Sequence, residues 1–155
     1  MTTLKVGDQA PDFSGLNQKG EQISLSGFKG RKLILFFYPK DNTPGCTAES
    51  CNLNDNYQMW LSKGYEVLGV SPDNVSSHKK FAGKFQFGFN LIADPQTEIL
   101  QAYGVWGEKS MYGKKYMGVL RTTFIIGENG IIHEIFDKVD TINHTDQIIK
   151  TLDIK

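Results

Sequence analysis

The feature that most constrains this chain is the run Lys32-Leu33-Ile34-Leu35-Phe36-Phe37-Tyr38 and the segment that follows it, Pro39-Lys40-Asp41-Asn42-Thr43-Pro44-Gly45-Cys46. The first seven residues form a short apolar run bounded by charge and proline, the pattern of a buried strand. Beyond the loop, Cys46, Leu53, Tyr57, Trp60 and Leu61 recur on one face of a 3.6-residue period, which predicts a helix over about 44–62. Thr43 suits the N-cap and Pro44 the first helical position. Cys46 then falls at the third position, where unpaired backbone N–H groups and the positive end of the helix dipole favour a thiolate. A strand that delivers a cysteine to a helix N-terminus can make a nucleophilic sulfur.

The rest of the chain reads as alternating elements. Residues 1–31 are glycine-rich, with Gln22-Ile23-Ser24-Leu25 as a short strand and turns elsewhere. Lys63-Gly64 closes the cysteine helix. Tyr65–Val70 predicts the next strand, residues 74–85 a helix with Phe81 and Phe85 stacked on one face, and Leu91–Ala93 a third strand. Thr97 is the expected cap of a short helix ending near Tyr103. Residues 104–118 hold Trp106, Met111, Tyr112, Tyr116 and Met117 without periodicity and read as a loop, either a surface loop or a flap or partner surface. Two apolar runs flank Gly127-Glu128-Asn129-Gly130 as a hairpin. Thr141 or Asn143 opens a last helix with Ile148, Ile149 and Leu152 facing inward. The pattern is α/β, with parallel strands from the βα units and antiparallel ones from the hairpin, so the central sheet is mixed.

At 155 residues the chain is expected to form one domain, 1–155, large enough for its own core. Seventeen basic and seventeen acidic residues balance, which argues against a nucleic-acid or polyanion partner. No apolar run approaches the roughly 18 residues of a membrane span, so the expectation is a soluble, cytoplasmic protein with no membrane partner. Two cysteines in such a chain point to redox or catalytic use more than to a staple. A zinc site needs about four ligands; His78, His133 and His144 stand singly, as surface or packing residues, and no metal is expected.

Pro39-x-x-x-Thr43-x-x-Cys46 resembles the active-site motif of the peroxiredoxins, and Cys51 at this spacing is similar to the bacterioferritin comigratory protein, or peroxiredoxin Q, branch. The resemblance continues through Gly7-Asp8-Gln9-Ala10-Pro11-Asp12-Phe13, Tyr103-Gly104-Val105-Trp106-Gly107-Glu108-Lys109 and Arg121-Thr122-Thr123-Phe124. It implies a thioredoxin-like fold with an N-terminal extension and flanking helices. It also implies a thiol peroxidase acting on hydrogen peroxide or alkyl hydroperoxides, without metal or organic cofactor, and recycled by thioredoxin or a glutaredoxin-type reductant. Members of this branch are often monomers, and the aromatic segment 104–118 leaves room for a weak dimer.

Residue by residue, the resemblance makes Cys46 the attacking sulfur and Pro39 a shield that keeps water from it. Gly45 lets backbone approach the substrate, and Thr43 combines capping with donation to the peroxide. Arg121, read alone, is either an ordinary strand-end arginine or a fixed fork of donors; the match at 121–124 selects the second. Glu49 reads first as a solvated helix acid, with orientation of Arg121 as the rarer alternative, and stays outside the candidate set. Cys51 lies among Glu49, Ser50, Asn52, Asn54 and Asp55, which suggests an exposed face. An accessible thiol beside a sulfenic acid condenses with it, so Cys51 is the expected resolving cysteine. Two rival classes remain. One is a thiol–disulfide oxidoreductase, against which Thr43 stands where thioredoxin has its first cysteine; the other is a redox-switched chaperone or binding protein. Catalytic consumption of peroxide separates both from a peroxidase.

Overall fold

The computed structural model describes residues 2–154. In chain order the elements are β1 (Ser14–Leu16), β2 (Gln22–Ser24), a 3₁₀ turn (Leu25–Phe28), β3 (Lys32–Phe37), α1 (Pro44–Asp55), α2 (Tyr57–Ser62), β4 (Tyr65–Ser71), α3 (Val75–Phe85), β5 (Asn90–Ala93), α4 (Glu98–Ala102), β6 (Trp106–Met111), β7 (Lys114–Val119), β8 (Thr122–Ile126), β9 (Ile132–Phe136) and α5 (His144–Leu152). The main sheet has the order β2-β1-β5-β4-β3-β8-β9. β3, β4 and β5 are parallel, as βα crossovers require, while β1, β2, β8 and β9 add antiparallel pairs. The sheet is mixed and flanked by helices, as the sequence indicates.

β3 explains its own composition. Leu33, Leu35 and Phe37 belong to one buried cluster, with Leu68, Val70, Leu100, Tyr103 and Phe124. Ile34, Phe36 and Tyr38 belong to the cluster on the other face, with Cys46, Leu53, Trp60, Phe81 and Ile148. A strand covered on both faces has no polar side, hence the continuous apolar run.

Four local expectations are corrected. The helix expected over 44–62 is two helices, broken at Asn56 (φ −106, ψ 12), whose side-chain amide donates to the Asn52 carbonyl at 2.8 Å and competes with the helix ladder. Residues 104–118 are not a loop: β6 and β7 pair antiparallel from Trp106↔Val119 to Met111↔Lys114. Tyr112 (φ 52) and Gly113 (φ 78) form a two-residue turn with positive φ at both positions, the type that suits a twisted hairpin. Ser14–Leu16, read as turn, is a strand paired to both β2 and β5. Thr97 precedes α4 but its side chain caps nothing; the Asp94 carboxylate takes the Leu100 N–H at 2.8 Å instead.

Candidate active site

The loop from Tyr38 to Thr43 carries the chain from the C-terminal end of β3 to the start of α1, and buried polar contacts fix it. Tyr38 Oη donates to Asp41 Oδ1 at 2.6 Å, and the Asp41 N–H donates to Asp73 Oδ2 at 2.8 Å. Ser77 Oγ reaches Asp41 Oδ2 at 2.8 Å, and His78 Nδ1 meets the same oxygen at 2.7 Å. Asn42 turns the chain with φ 61, and α1 begins at Pro44. Pro39, half-buried, follows Tyr38 on this loop, two residues past β3.

Thr43 occupies the N-cap with extended backbone (φ −96, ψ 156), but its hydroxyl does not cap. It donates to the Lys40 carbonyl at 2.8 Å, closing the loop on itself. The expected cap is therefore made by backbone alone. Cys46 is the third residue of α1, 1% exposed, with its sulfur at the N-terminal end of the helix dipole.

Arg121, the residue before β8, reaches this sulfur: Nη2 donates to Cys46 Sγ at 3.3 Å and Nη1 to Glu49 Oε1 at 2.6 Å. A Cβ on Gly45 would stand 3.3 Å from Nη2, so a side chain there would push the guanidinium off the sulfur. Burial works against the charge of Arg121, but the Glu49 and Cys46 charges outweigh it and raise its pKa above the ordinary arginine value. The guanidinium thus holds one donor on the sulfur and keeps its fork beside any atom that meets that sulfur.

Glu49 is fully buried, and burial pushes its carboxyl up to about 7 against the pull of Arg121. His144 Nε2 lies 3.8 Å from Glu49 Oε2, yet this is no ion pair. Burial lowers His144 to about 4. Its Nδ1 faces Gln147 Oε1 at 2.9 Å and so carries the proton, leaving Nε2 to accept from Thr123 Oγ1 at 2.9 Å. Glu49 Oε2 therefore meets a lone pair, and it has no hydrogen-bond partner among the described residues.

Thr43, Gly45, Cys46 and Arg121 are thus brought to one corner, the N-terminal end of α1. Cys51 shares that helix but is half-buried, not on the open face expected from its polar neighbours; Glu49 and Ser50 are fully buried. Burial, and then Asp55, raise its pKa, so Cys51 rests as a thiol.

Across residues 6–135 the chain matches the AhpC/TSA family. The chain belongs to that family. It is 42% identical over 152 residues to peroxiredoxin Bcp of Escherichia coli, covering 98% of this chain and 97% of that one. Peroxiredoxin Bcp of Bacillus subtilis is 37% identical over 150 residues, covering 97% and 96%. Among solved structures, Xylella fastidiosa PrxQ superposes with a TM-score of 0.91 at 31% identity, covering 99% and 98% of the two chains. Xanthomonas campestris peroxiredoxin Q gives 0.86 at 33% identity, covering 98% and 97%. The protein is a peroxiredoxin of thioredoxin-like fold, a thiol peroxidase with a peroxide substrate and a thiol reductant.

Sequence reasoning missed several residues of this peroxiredoxin's site region. Glu49 was legible in principle: it lies three positions after Cys46, hence on the same inward helix face, and a buried acid requires a cation such as Arg121. His78 and His144, read as isolated surface or packing residues, are fully buried members of polar networks. Asp41, Asp73 and His78 bring ligand-type atoms within 4.8 Å of one another, but His78 Nδ1 is engaged with Asp41, and Asp73 Oδ2 with Ser71 Oγ and the Asp41 N–H. Among the described residues no helix is long and apolar enough to cross a membrane.

Proposed function

We propose that Cys46 is the peroxidatic cysteine. As thiolate it attacks one oxygen of a hydroperoxide; the S–O bond forms as the O–O bond breaks, leaving a sulfenic acid, and the departing oxygen leaves as water or alcohol after protonation. The observation that carries the reading is the bridge of Arg121, with one nitrogen 3.3 Å from Cys46 Sγ and the other 2.6 Å from buried Glu49. A donor fork held this way faces the sulfur and the oxygen on which charge develops. The free N–H groups of Gly45 and Cys46 complete the polar wall; Thr43 joins it once its hydroxyl turns from the Lys40 carbonyl to the peroxide, and Pro39, on the same loop, shields it. The reported alkyl peroxide reduction by Xanthomonas campestris bacterioferritin comigratory protein supports alkyl hydroperoxides beside hydrogen peroxide.

Cys51 resolves the sulfenic acid: its sulfur attacks that of Cys46, water leaves and a disulfide forms. Both cysteines are free on one intact helix. Five positions on an ideal helix set Cα atoms about 8.6 Å apart, on faces about 140° apart, whereas a disulfide needs less than about 7 Å. The first turns of α1 therefore unwind before the bond closes. Thioredoxin or a glutaredoxin-type protein returns both thiols, which suits a single-domain monomer in a reducing compartment such as the cytoplasm.

The test is steady-state peroxide consumption with thioredoxin as donor. Cys46→Ser is expected to lose all turnover, and Cys51→Ser to complete one oxidation, trappable by dimedone, without thioredoxin-driven recycling. Amide exchange over residues 44–56 should accelerate in the disulfide form. Residual turnover in Cys46→Ser, or equal protection in both redox forms with the disulfide confirmed by mass, would overturn the corresponding assignment.

A further inference from the structure

The β6–β7 hairpin contributes no strand to the main sheet, and its outer half is exposed. Its two strands of six residues extend about 20 Å. Cross-strand pairing sets Lys109 opposite Tyr116 and Met111 opposite Lys114, so these four side chains share one face. The other face carries Met117 opposite Glu108, and Glu108 is ion-paired to Lys115 at 3.6 Å. At the tip Tyr112 is 98% exposed, and Met111 behind it 56%. Residues 106–119 hold three lysines and one glutamate, a local surplus of two positive charges in a chain whose seventeen basic and seventeen acidic residues balance as a whole. At its root Val119 enters the core, Gly107 packs under Leu120, and Leu120 N–H donates to the Val105 carbonyl at 2.7 Å. Arg121 is the next residue. A basic, aromatic arm is thus rooted beside the site arginine.

We infer that the Lys109–Met111–Lys114–Tyr116 face, with Tyr112 at its tip, is the docking surface for the protein reductant, a dithiol protein of thioredoxin type with an acidic rim around its cysteines. The inference rests on the peroxidase reading above. That cycle requires a protein to reach the Cys46–Cys51 disulfide, and an arm ending two residues from Arg121 can hold it there. Lys109 and Lys114, which form no ion pair among the described residues, give Met111 and Tyr116 a positive rim around an apolar anchor, which an acidic partner complements. A second copy of this chain fits less well, because a two-fold contact through this face would set Lys109 and Lys114 against the same lysines. Once docked, a reductant thiolate attacks one sulfur of the disulfide and the other sulfur leaves as a thiolate. The reductant's second thiol then breaks the mixed disulfide. Two electrons pass, Cys46 and Cys51 end as thiols, and the reductant leaves as a disulfide.

The experiment compares wild type with Lys109→Glu/Lys114→Glu and, separately, Met111→Ser/Tyr112→Ser, using an acidic thioredoxin and dithiothreitol as alternative donors. With thioredoxin, the charge-reversed variant should show a KM raised about tenfold, since rim charges act on association. That difference should shrink at about 1 M salt, where the screening length is about 3 Å. The apolar variant should raise KM by an amount salt does not change. Single-turnover oxidation by peroxide and dithiothreitol-driven turnover should match wild type in both variants. An unchanged thioredoxin KM overturns the inference, as does a loss of equal size with dithiothreitol. A dimer in sedimentation that the variants dissociate, with KM unchanged, overturns it in favour of self-association. Failure of wild type itself to turn over with either donor strikes the peroxidase reading instead.

Discussion

Two polar clusters are buried around the ends of the same loop, and they are built differently. Around Asp41 every acceptor in play is matched: Oδ1 takes the Tyr38 hydroxyl, Oδ2 takes Ser77 and His78, and His78 Nε2 meets the Ile92 carbonyl at 2.9 Å. Burial, then the Asp41 charge, holds the Tyr38 hydroxyl well above its usual pKa, so it stays a donor. Around Cys46 the matching is incomplete. Glu49 Oε2 and Ser50 Oγ are buried without hydrogen-bond partners among the described residues, and Glu49 holds its proton to about neutral pH. Buried polar groups are nearly always paired, so a fully paired cluster reads as scaffold and an underpaired one as a site that has exchanged stability for chemistry. The Asp41 cluster fixes where α1 begins; the Cys46 cluster is where the proposed chemistry takes place.

If that contrast is right, the two clusters should fail in opposite ways. Asp41→Ala leaves His78, Ser77, Tyr38 and the loop without their common acceptor. Removing one partner of a buried pair costs about 3–5 kcal/mol, so denaturant unfolding should show a loss of that size. A loss under about 1 kcal/mol would make the Asp41 cluster dispensable and break the comparison. Arg121→Lys should do the reverse. It keeps a cation near Glu49 but loses the fork that spans Glu49 and Cys46. The second-order rate with peroxide should fall about 100-fold, roughly 2.7 kcal/mol of transition-state stabilisation, with little change in unfolding. An unchanged rate would return Arg121 to the role of a strand-end arginine.

Glu49 and His144 sharpen the contrast through pH. Glu49 is raised from 4.5 to about 7, so between those values the folded state holds a proton that the unfolded state has lost, and stability falls as pH rises. His144 is lowered from 6.5 to about 4, so in its window the unfolded state binds the extra proton and stability rises with pH. Each shift is worth roughly 3 kcal/mol at about 1.4 kcal/mol per unit, and over pH 4.5–6.5 they oppose each other. Glu49→Gln should therefore unmask a stability that climbs with pH, and His144→Asn one that declines. Thermal melts of the three proteins from pH 4 to 8 would check this. Parallel curves would show that the two groups do not titrate against each other in the fold.

What the sequence could convey depended on the distance between partners and on whether an element buries anything. The β3 run, the β8–β9 hairpin and the cysteine at a helix start are local patterns, and each appears in the structure. The β6–β7 hairpin escaped because its outer half has no buried face: with Tyr116 and Met117 both exposed, no alternation marks the strands, and its glycines read as breakers. Glu49 and Arg121 are 72 positions apart and His78 and Asp41 37, so their pairing is a property of the fold. Arg121 was reached through the family resemblance; nothing similar identified Glu49 or His78, and their burial overturned the ordinary expectation for acids and histidines. The polar residues around Cys51 misled in the same manner, since Ser50 beside it is fully buried.

Ser50 provides the smallest test and the most direct one of what underpairing means. Its hydroxyl is buried without a partner, whereas the equally buried Ser71 donates to Asp73 Oδ2 at 2.7 Å and accepts the Asp73 N–H at 3.2 Å. Both are serines with no exposure, so Ser→Ala removes the same atom from each. At Ser71 it strips a donor from a carboxylate, which should cost about 1–2 kcal/mol. At Ser50 it removes only a desolvated hydroxyl that gains nothing in the folded reduced state, so stability should hold or rise by about 1 kcal/mol. A firmer α1 also resists unwinding, so closure of the Cys46–Cys51 disulfide after oxidation should slow by up to about fivefold, about 1 kcal/mol, while the peroxide step keeps its rate. Equal destabilisation by the two substitutions would mean that the Ser50 hydroxyl is bonded after all, to a buried water, and that the Cys46 corner is as fully paired as the Asp41 one.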